Sequence, residues 1–212
     1  MADIQKVAVL GAGVMGAGIA AHLANAGIPS LLFDLQKPDA ALAALLKSKP
    51  AQLYAGSLAS LIQTCAFGTD MPRLAECDWV VEAVTERVDI KRKVFADVFA
   101  HVGPHAIVTS NTSGIPIAAI TDGWASDWKR RFFVTHFFNP VRYMKLLELV
   151  AGPETDAGLF ATLADFGERV LGKGIVVGKD TPNFVANRIG TYGIMALLHA
   201  MDGSGLSITA ID

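Results

Sequence analysis

Three features of this 212-residue chain predict an α/β fold built on a doubly wound, mostly parallel sheet. Short apolar runs alternate with stretches of helical period, and glycine and proline punctuate the junctions. A glycine string, "GAGVMG", separates the first apolar run from the first helical stretch. Hydrophobic residues make up 52% of the chain and charged ones 18%, which is enough apolar material for one well-buried core.

Val7 to Leu10 reads as a buried strand, Val14 to Ala26 as a helix stopped by Gly27, and Leu31 to Asp34 as a second strand, so the chain opens with a βαβ unit. Helical patches follow over Asp39 to Leu46 and Ser57 to Ile62. Trp79 to Val84, Ala106 to Thr109 and Phe132 to Phe138 are further buried strands, with Ile90 to Ala100 as a crossover helix. Leu146 to Val150 and Ile175 to Val177 are two more strands, separated by a helix near Ala157 to Leu171. No internal repeat or low-complexity linker interrupts this order.

The character changes at "DTPNF". Thr181 is placed to cap a helix with Pro182 at its first position, where a missing N–H costs nothing, and the helix then runs through Asn187 to about Met201. After it "GSGLSITAID" begins another helix, capped by Ser207. The expectation is a first domain over residues 1–180 and the opening of an all-α domain over 181–212. Because a domain rarely stops in the first turn of an element, the chain is expected to be a fragment whose helical domain is truncated.

Eighteen Lys and Arg against twenty Asp and Glu leave a formal charge of -2, which offers no electrostatic reason to expect nucleic acid or an acidic membrane surface as a partner. The basic triplet Lys129 to Arg131 is a solvated loop on this reading. Cys65 and Cys77 are too few for a disulfide framework and lack neighbours at metal-ligand spacing, so no metal is expected and a reducing, cytoplasmic location is favoured. Val7 to Gly27 imitates a signal peptide, but Asp3 spoils the positive leader, and His22 and Asn25 interrupt the apolar run. Nowhere do 18 apolar residues run uninterrupted, so no membrane span is expected.

Gly11, Gly13 and Gly16 have the spacing G-x-G-x-x-G, directly after a strand and at the head of a helix. In that setting the first glycine permits a tight turn, the second lets backbone approach a pyrophosphate, and the third lets helix and strand pack closely, which is the Rossmann-type arrangement. Asp34 lies 18 positions after Gly16, at the end of the second strand, where its carboxylate can take the hydroxyls of an adenosine ribose. It would repel the 2′-phosphate of NADP, and no arginine follows closely, so NAD is preferred; FAD stays open on these residues alone.

A group able to take a hydroxyl proton is then sought. His136 in "VTHFFNP" is an ionisable ring inside an apolar strand, close to its C-terminal end, the edge of an open α/β sheet where ligands bind. His22, His101, His105 and His199 read as packing or surface residues. Glu148 in "KLLELV", 12 residues on, suits a returning strand and could hold one ring nitrogen. On residues alone a solvent-facing glutamate and a core histidine compete with this pair. "SNTSG", Ser110 to Gly114, follows a strand and fits a helix cap or Asx-turn as well as a site. There is no G-x-S-x-G elbow for a nucleophilic serine.

Six strings in order, "GAGVMGAGIA", "VVEAVTERVDIK", "SNTSG", "THFFNP", "MKLLELV" and "KDTPNFVANRIG", resemble the L-3-hydroxyacyl-CoA dehydrogenases of fatty-acid β-oxidation from Lys6 to about Tyr192. "THFFNPVRY" and "DTPNFVANRIGTYG" look especially like bacterial long-chain members that carry a hydratase-related segment downstream. The resemblance implies hydride transfer between C3 of a 3-hydroxyacyl-CoA, yielding the 3-ketoacyl-CoA, and NAD. It implies His136 as general base, Glu148 as its orienting partner, and Ser113 and Asn187 as hydrogen-bonding the reacting oxygen. Gly11, Gly13, Val14, Met15, Gly16 and Asp34 match the pyrophosphate and ribose contacts, and Glu86, Lys91, Asn111 and Ser113 match the nicotinamide side. A homo-oligomer is implied for the full-length protein. Arg87 departs from the pattern, since Asn is usual there. The region Gln36 to Phe67 is short and poor in Ser and Lys, which leaves Lys47, Ser48 and Lys49 as coenzyme A candidates without a place. The alternatives are a catalytically silent NAD-binding module and a dehydrogenase of free 3-hydroxy acids.

Overall fold

The computed structural model describes residues 4–202, 205 and 208–211. Eight strands form one sheet: β1 (Val7–Leu10), β2 (Ser30–Asp34), β3 (Ile62–Ala66), β4 (Trp79–Glu82), β5 (Ile107–Ser110), β6 (Phe132–Phe137), β7 (Leu146–Ala151) and β8 (Gly174–Gly178). The helices are α1 (Val14–Asn25), α2 (Asp39–Leu45), α3 (Val88–His101), α4 (Ile117–Thr121), α5 (Ser126–Arg130), α6 (Ala157–Arg169), α7 (Ala186–Met201) and α8 (Ile208–Ile211).

The strand order is β3-β2-β1-β4-β5-β6-β7-β8, and every pairing is parallel except β6 with β7. Val7 and Val9 face one side with α1, α2 and α6, through Ile19, Leu23, Leu45, Leu163 and Phe166. Ala8 and Leu10 face the other side with α3 and α4, through Phe95, Val98, Phe99, Ile117 and Ile120. The central strands β1, β4, β5 and β6 are therefore buried on both faces, which is why they read as continuous apolar runs. The doubly wound, mostly parallel architecture follows the expectation.

Several boundaries differ from it. The patch over Ser57 to Ile62 is a 3₁₀ turn, Gly56–Leu61, and its last apolar residue opens β3 instead. β3 escaped the sequence reading because it is an edge strand with a buried Ile62 and Cys65 but an exposed Gln63, too short and mixed to show a period. β4 stops at Glu82, whose carboxylate accepts the N–H of Val84 at 2.7 Å and turns the chain away. The late helix does not begin at Thr181 and Pro182. Asn183 and Phe184 adopt left-handed φ of 65° and 46°, so regular helix starts only at Ala186. The Ser207 cap lies outside the described residues.

Candidate functional site

The parallel strands β1, β2, β4, β5 and β6 all end at one edge of the sheet, where loops carry the motif residues. Between β1 and α1, Gly11 has φ of 101°, and an added Cβ would sit 2.7 Å from the Ala83 carbonyl oxygen, so only glycine serves there. Gly13 is different: a Cβ would meet nothing within 4 Å. The protein itself does not require a glycine at that point, and the clear space lies at the N-terminus of a twelve-residue helix with no side-chain cap and no acidic residue in its first turn. Unpaired N–H groups and open space together suit a diphosphate. Val14 is exposed and Met15 half-buried in that first turn.

Asp34 braces this loop. Its Oδ2 accepts the N–H of Ala12 at 2.9 Å and its Oδ1 that of Leu35 at 2.7 Å. A carboxylate has further lone pairs for ribose hydroxyls, so the residues present fit an NAD adenosine half.

At the end of β4 and β5 lies a second polar cluster. Glu82 and Ser110 are register partners, both fully buried, and the Ser110 hydroxyl donates to Glu82 Oε2 at 2.6 Å. Lys91, on α3 and 1% exposed, donates to both Glu82 oxygens at 2.7 and 3.0 Å and lies 3.2 Å from Glu86 Oε2. Burial pushes the Glu82 carboxyl above its usual range against the pull of Lys91. Burial also opposes charge on Glu86, yet the Thr112 hydroxyl, Lys91 and the Ser113 N–H together hold its carboxyl below the usual range. Lys91 thus faces the cleft only through Glu86. Arg87, the departure from the expected Asn, pairs with Asp89 at 2.7 Å in solvent.

His136 and Glu148 stand directly opposite one another in the β6–β7 register, so both side chains leave the same face. His136 Nδ1 and Glu148 Oε2 are 2.7 Å apart, with exposures of 3% and 0%. The ring packs 4.4 Å from the Phe138 ring and 5.8 Å from that of Phe184. Nδ1–H donating to a carboxylate leaves Nε2 with its lone pair, and among the described residues Nε2 has no partner.

Glu148 has a further task. Its Oε1 accepts the N–H groups of Val185 and Ala186 at 3.1 and 2.7 Å, the first donors of α7. Asn187, half-buried, sits one residue into that helix. The turn before it also touches the Asn111–Gly114 loop, where a Cβ on Gly114 would come 3.2 Å from Asn183 Oδ1. Asn111 is buried, its side-chain oxygen accepting the N–H of Phe137 at 2.9 Å, while Ser113 is exposed and gives its N–H to Glu86 at 2.9 Å. The β5 loop, the His136–Glu148 pair and the start of α7 therefore form one contiguous patch.

A groove of about 420 Å³ runs beside the glycine turn. It is lined by Gly13 and Val14 on one side, Asn139 and Pro140 just beyond β6, and Ser48 and Lys49 beyond α2. Ser48 and Lys49 thereby gain a place beside the glycine turn.

Sequence reasoning missed Glu82 and Lys173. Glu82 interrupts the apolar run "WVVEAV" as Glu148 interrupts "KLLELV", so the signal was present. Lys173, 5% exposed, donates to the carbonyls of Val141 and Met144 at 2.5 and 2.8 Å and braces the turn after β6 from beneath; burial pulls its ammonium down to about 8. His22 proves to be packing: its Nε2 meets the Leu171 carbonyl at 2.9 Å. Among the described residues, no helix is long and apolar enough to cross a membrane.

A family model described as "3-hydroxyacyl-CoA dehydrogenase, NAD binding domain" matches residues 6–181. A probable 3-hydroxyacyl-CoA dehydrogenase of Bacillus subtilis is 44% identical over 99% of the chain, and one of Deinococcus radiodurans is likewise 44% identical over 99%. The chain spans 29% and 63% of the lengths of these two relatives. The crystal structure of Mycobacterium tuberculosis FadB2 superposes with a TM-score of 0.86 at 29% identity, covering 100% of this chain and 76% of that one.

Proposed function

The chain belongs to the 3-hydroxyacyl-CoA dehydrogenase family, whose NAD-binding domain it carries over residues 6–181, and from that premise we propose that it serves an enzyme moving a hydride between C3 of a 3-hydroxyacyl-CoA and NAD in fatty-acid oxidation. The observation that carries the proposal is the 2.7 Å contact of His136 Nδ1 with Glu148 Oε2, at the sheet edge that also bears the glycine turn. When bound, NAD supplies the acceptor for the hydride that leaves C3. The Gly11–Gly16 turn and the open end of α1 would hold its pyrophosphate, and Asp34 its ribose.

His136 Nε2 takes the proton of the 3-hydroxyl as the C–O bond becomes a carbonyl. Glu148 keeps the other nitrogen protonated and stabilises the imidazolium that results. Ser113 and Asn187, on the two segments that flank the pair, hydrogen-bond the reacting oxygen. In the reverse direction His136 returns the proton to the 3-keto oxygen. Lys49, at the wall of the groove beside the glycine turn, offers a cation to a phosphate.

The proposal is tested by acetoacetyl-CoA-dependent oxidation of NADH. His136→Ala should lose about 10²- to 10⁴-fold in rate while NADH still binds; turnover at the wild-type rate would show that the base is misassigned. A second reading has its own observation. α7 buries none of its residues and exposes Ile189, Tyr192, Ile194, Met195, Leu197 and Leu198. Residues 181–212 then begin a helical domain that covers the cleft and pairs subunits, and the chain by itself is a silent NAD-binding module. NADH binding without turnover by the 212-residue chain, and turnover by a longer protein containing it, would establish that reading.

A further inference from the structure

The cluster at the end of β4 holds a buried acid that the proposed reaction does not use. Glu82 accepts hydrogen bonds from the Val84 N–H, from Lys91 on both oxygens and from the Ser110 hydroxyl, and has no exposed surface. A carboxylate is kept in such a place only where donors satisfy it, and these donors reach outward to a loop of the site. We propose that Glu82 is a positioning residue: through Lys91 and Glu86 it sets the place of the Asn111–Gly114 loop, and with it the Ser113 side chain, against the reacting oxygen. The proposal rests on the dehydrogenase reading for its last step and on geometry for the rest.

An ammonium has three donors. Lys91 directs two of its contacts to Glu82, which is fixed in a central strand, and one to Glu86, whose side chain is 45% exposed and would otherwise be free to swing into solvent. So anchored, Glu86 turns its Oε1 to the Thr112 hydroxyl and the Ser113 N–H. The Thr112 oxygen accepts the Ile115 N–H at 3.1 Å, which closes the loop on itself. The other end of the loop is tied to the same acid, because Ser110, which donates to Glu82, accepts the Thr112 N–H at 3.2 Å. Two routes from Glu82 thus converge on Thr112, and one of them continues to Ser113. The Ser113 hydroxyl takes no part in this tether and among the described residues has no partner, which leaves it free for a ligand.

Amide hydrogen exchange on the chain reads the tether directly. Glu82→Gln removes the charge that shares Lys91, and should speed exchange of the Ser113 and Ile115 amides about tenfold while the amides of β1 and β5 keep their protection. Glu86→Gln should do the same. The Ser113 N–H is bonded to Glu86 and is reached from Glu82 through Lys91, so at that amide the two acids act in series and the double variant should exchange no faster than Glu86→Gln alone, whereas a packing role predicts additive effects there. In the acetoacetyl-CoA assay Glu82→Gln should lower kcat, leave the KM for NADH within about twofold, and add nothing to the loss caused by Ser113→Ala. Should Glu82→Gln fail to fold, Lys91→Met cuts the same tether and carries the same expectation for the Ser113 and Ile115 amides. Unchanged Ser113 exchange, or additive effects, overturns the proposal. Absence of turnover in every protein containing the chain, with the exchange pattern intact, overturns the dehydrogenase reading and leaves the tether in place.

Discussion

At Gly16 an added Cβ would lie 1.7 Å from the Gly11 carbonyl oxygen, whereas at Gly13 it would meet no atom within 4 Å. One motif therefore contains a glycine demanded by the fold and a glycine that the fold leaves free. Gly16→Ala must displace backbone and should lower the melting temperature by several degrees, on the order of 2 kcal/mol or more. Gly13→Ala, at a φ of -66° that alanine adopts readily, should leave thermal stability nearly unchanged yet weaken NADH about tenfold by filling the space meant for a pyrophosphate. Calorimetry and NADH fluorescence titration of both variants check this; equal NADH affinity in Gly13→Ala and wild type would refute the phosphate role. The contrast between Glu148 and Glu82 also belongs at this scale. Both interrupt apolar runs in the sequence, but a single letter does not say which partner will satisfy a buried charge. For Glu148 a histidine 12 residues away suggests one; for Glu82 the partner is Lys91 on the following helix, which the family resemblance assigns to the nicotinamide side.

The start of α7 shows how an element boundary can be set from outside the element. Thr181 and Pro182 are an apt cap and first residue, and by local preference the helix should begin there. It begins at Ala186 because Phe184 turns into the core, 2% exposed and against the His136 ring, and because Asp180 is drawn off to the N–H of Ile117. The donors that remain are met by Glu148 from β7, so one carboxylate both orients the histidine and caps the helix that carries Asn187. The two tasks can be separated. Glu148→Ala leaves Nδ1 and two N–H groups without partners and should cost about 3 kcal/mol. Glu148→Gln keeps an oxygen for the helix and should cost less than about 2 kcal/mol, yet its NH₂ faces Nδ1 and reverses the tautomer, so turnover should fall in both variants alike. Urea denaturation beside the NADH assay decides; equal stability losses would mean that the helix does not depend on this cap.

Across the whole molecule, the sheet order brings the ends of β1, β4, β5 and β6 side by side, and the short return into antiparallel β7 sets Glu148 opposite His136. Long-range packing also sets the pH response of stability. His22 on α1 is buried against Leu171, and burial first, then the charge of Lys173, lowers its pKa from 6.5 to about 4. In that interval the unfolded chain binds the proton that the folded one refuses, so this contribution is complete above pH 6.5 and is lost as pH falls toward about 4. The loss should be on the order of 3 kcal/mol. His22→Gln should remove it, and denaturation curves of the two proteins that stay parallel across the interval would disprove the assignment. The sequence by itself determined the βαβ rhythm, the glycine turn with Asp34, and the odd placement of His136 and Glu148 in apolar runs, because each is written in a local period or spacing. Tertiary structure alone decided that β3 is a strand, that α7 starts late, and that Glu82, Lys91 and Glu86 act as one cluster. Each of these depends on which distant group satisfies a buried donor or acceptor, and that is chosen when the chain packs.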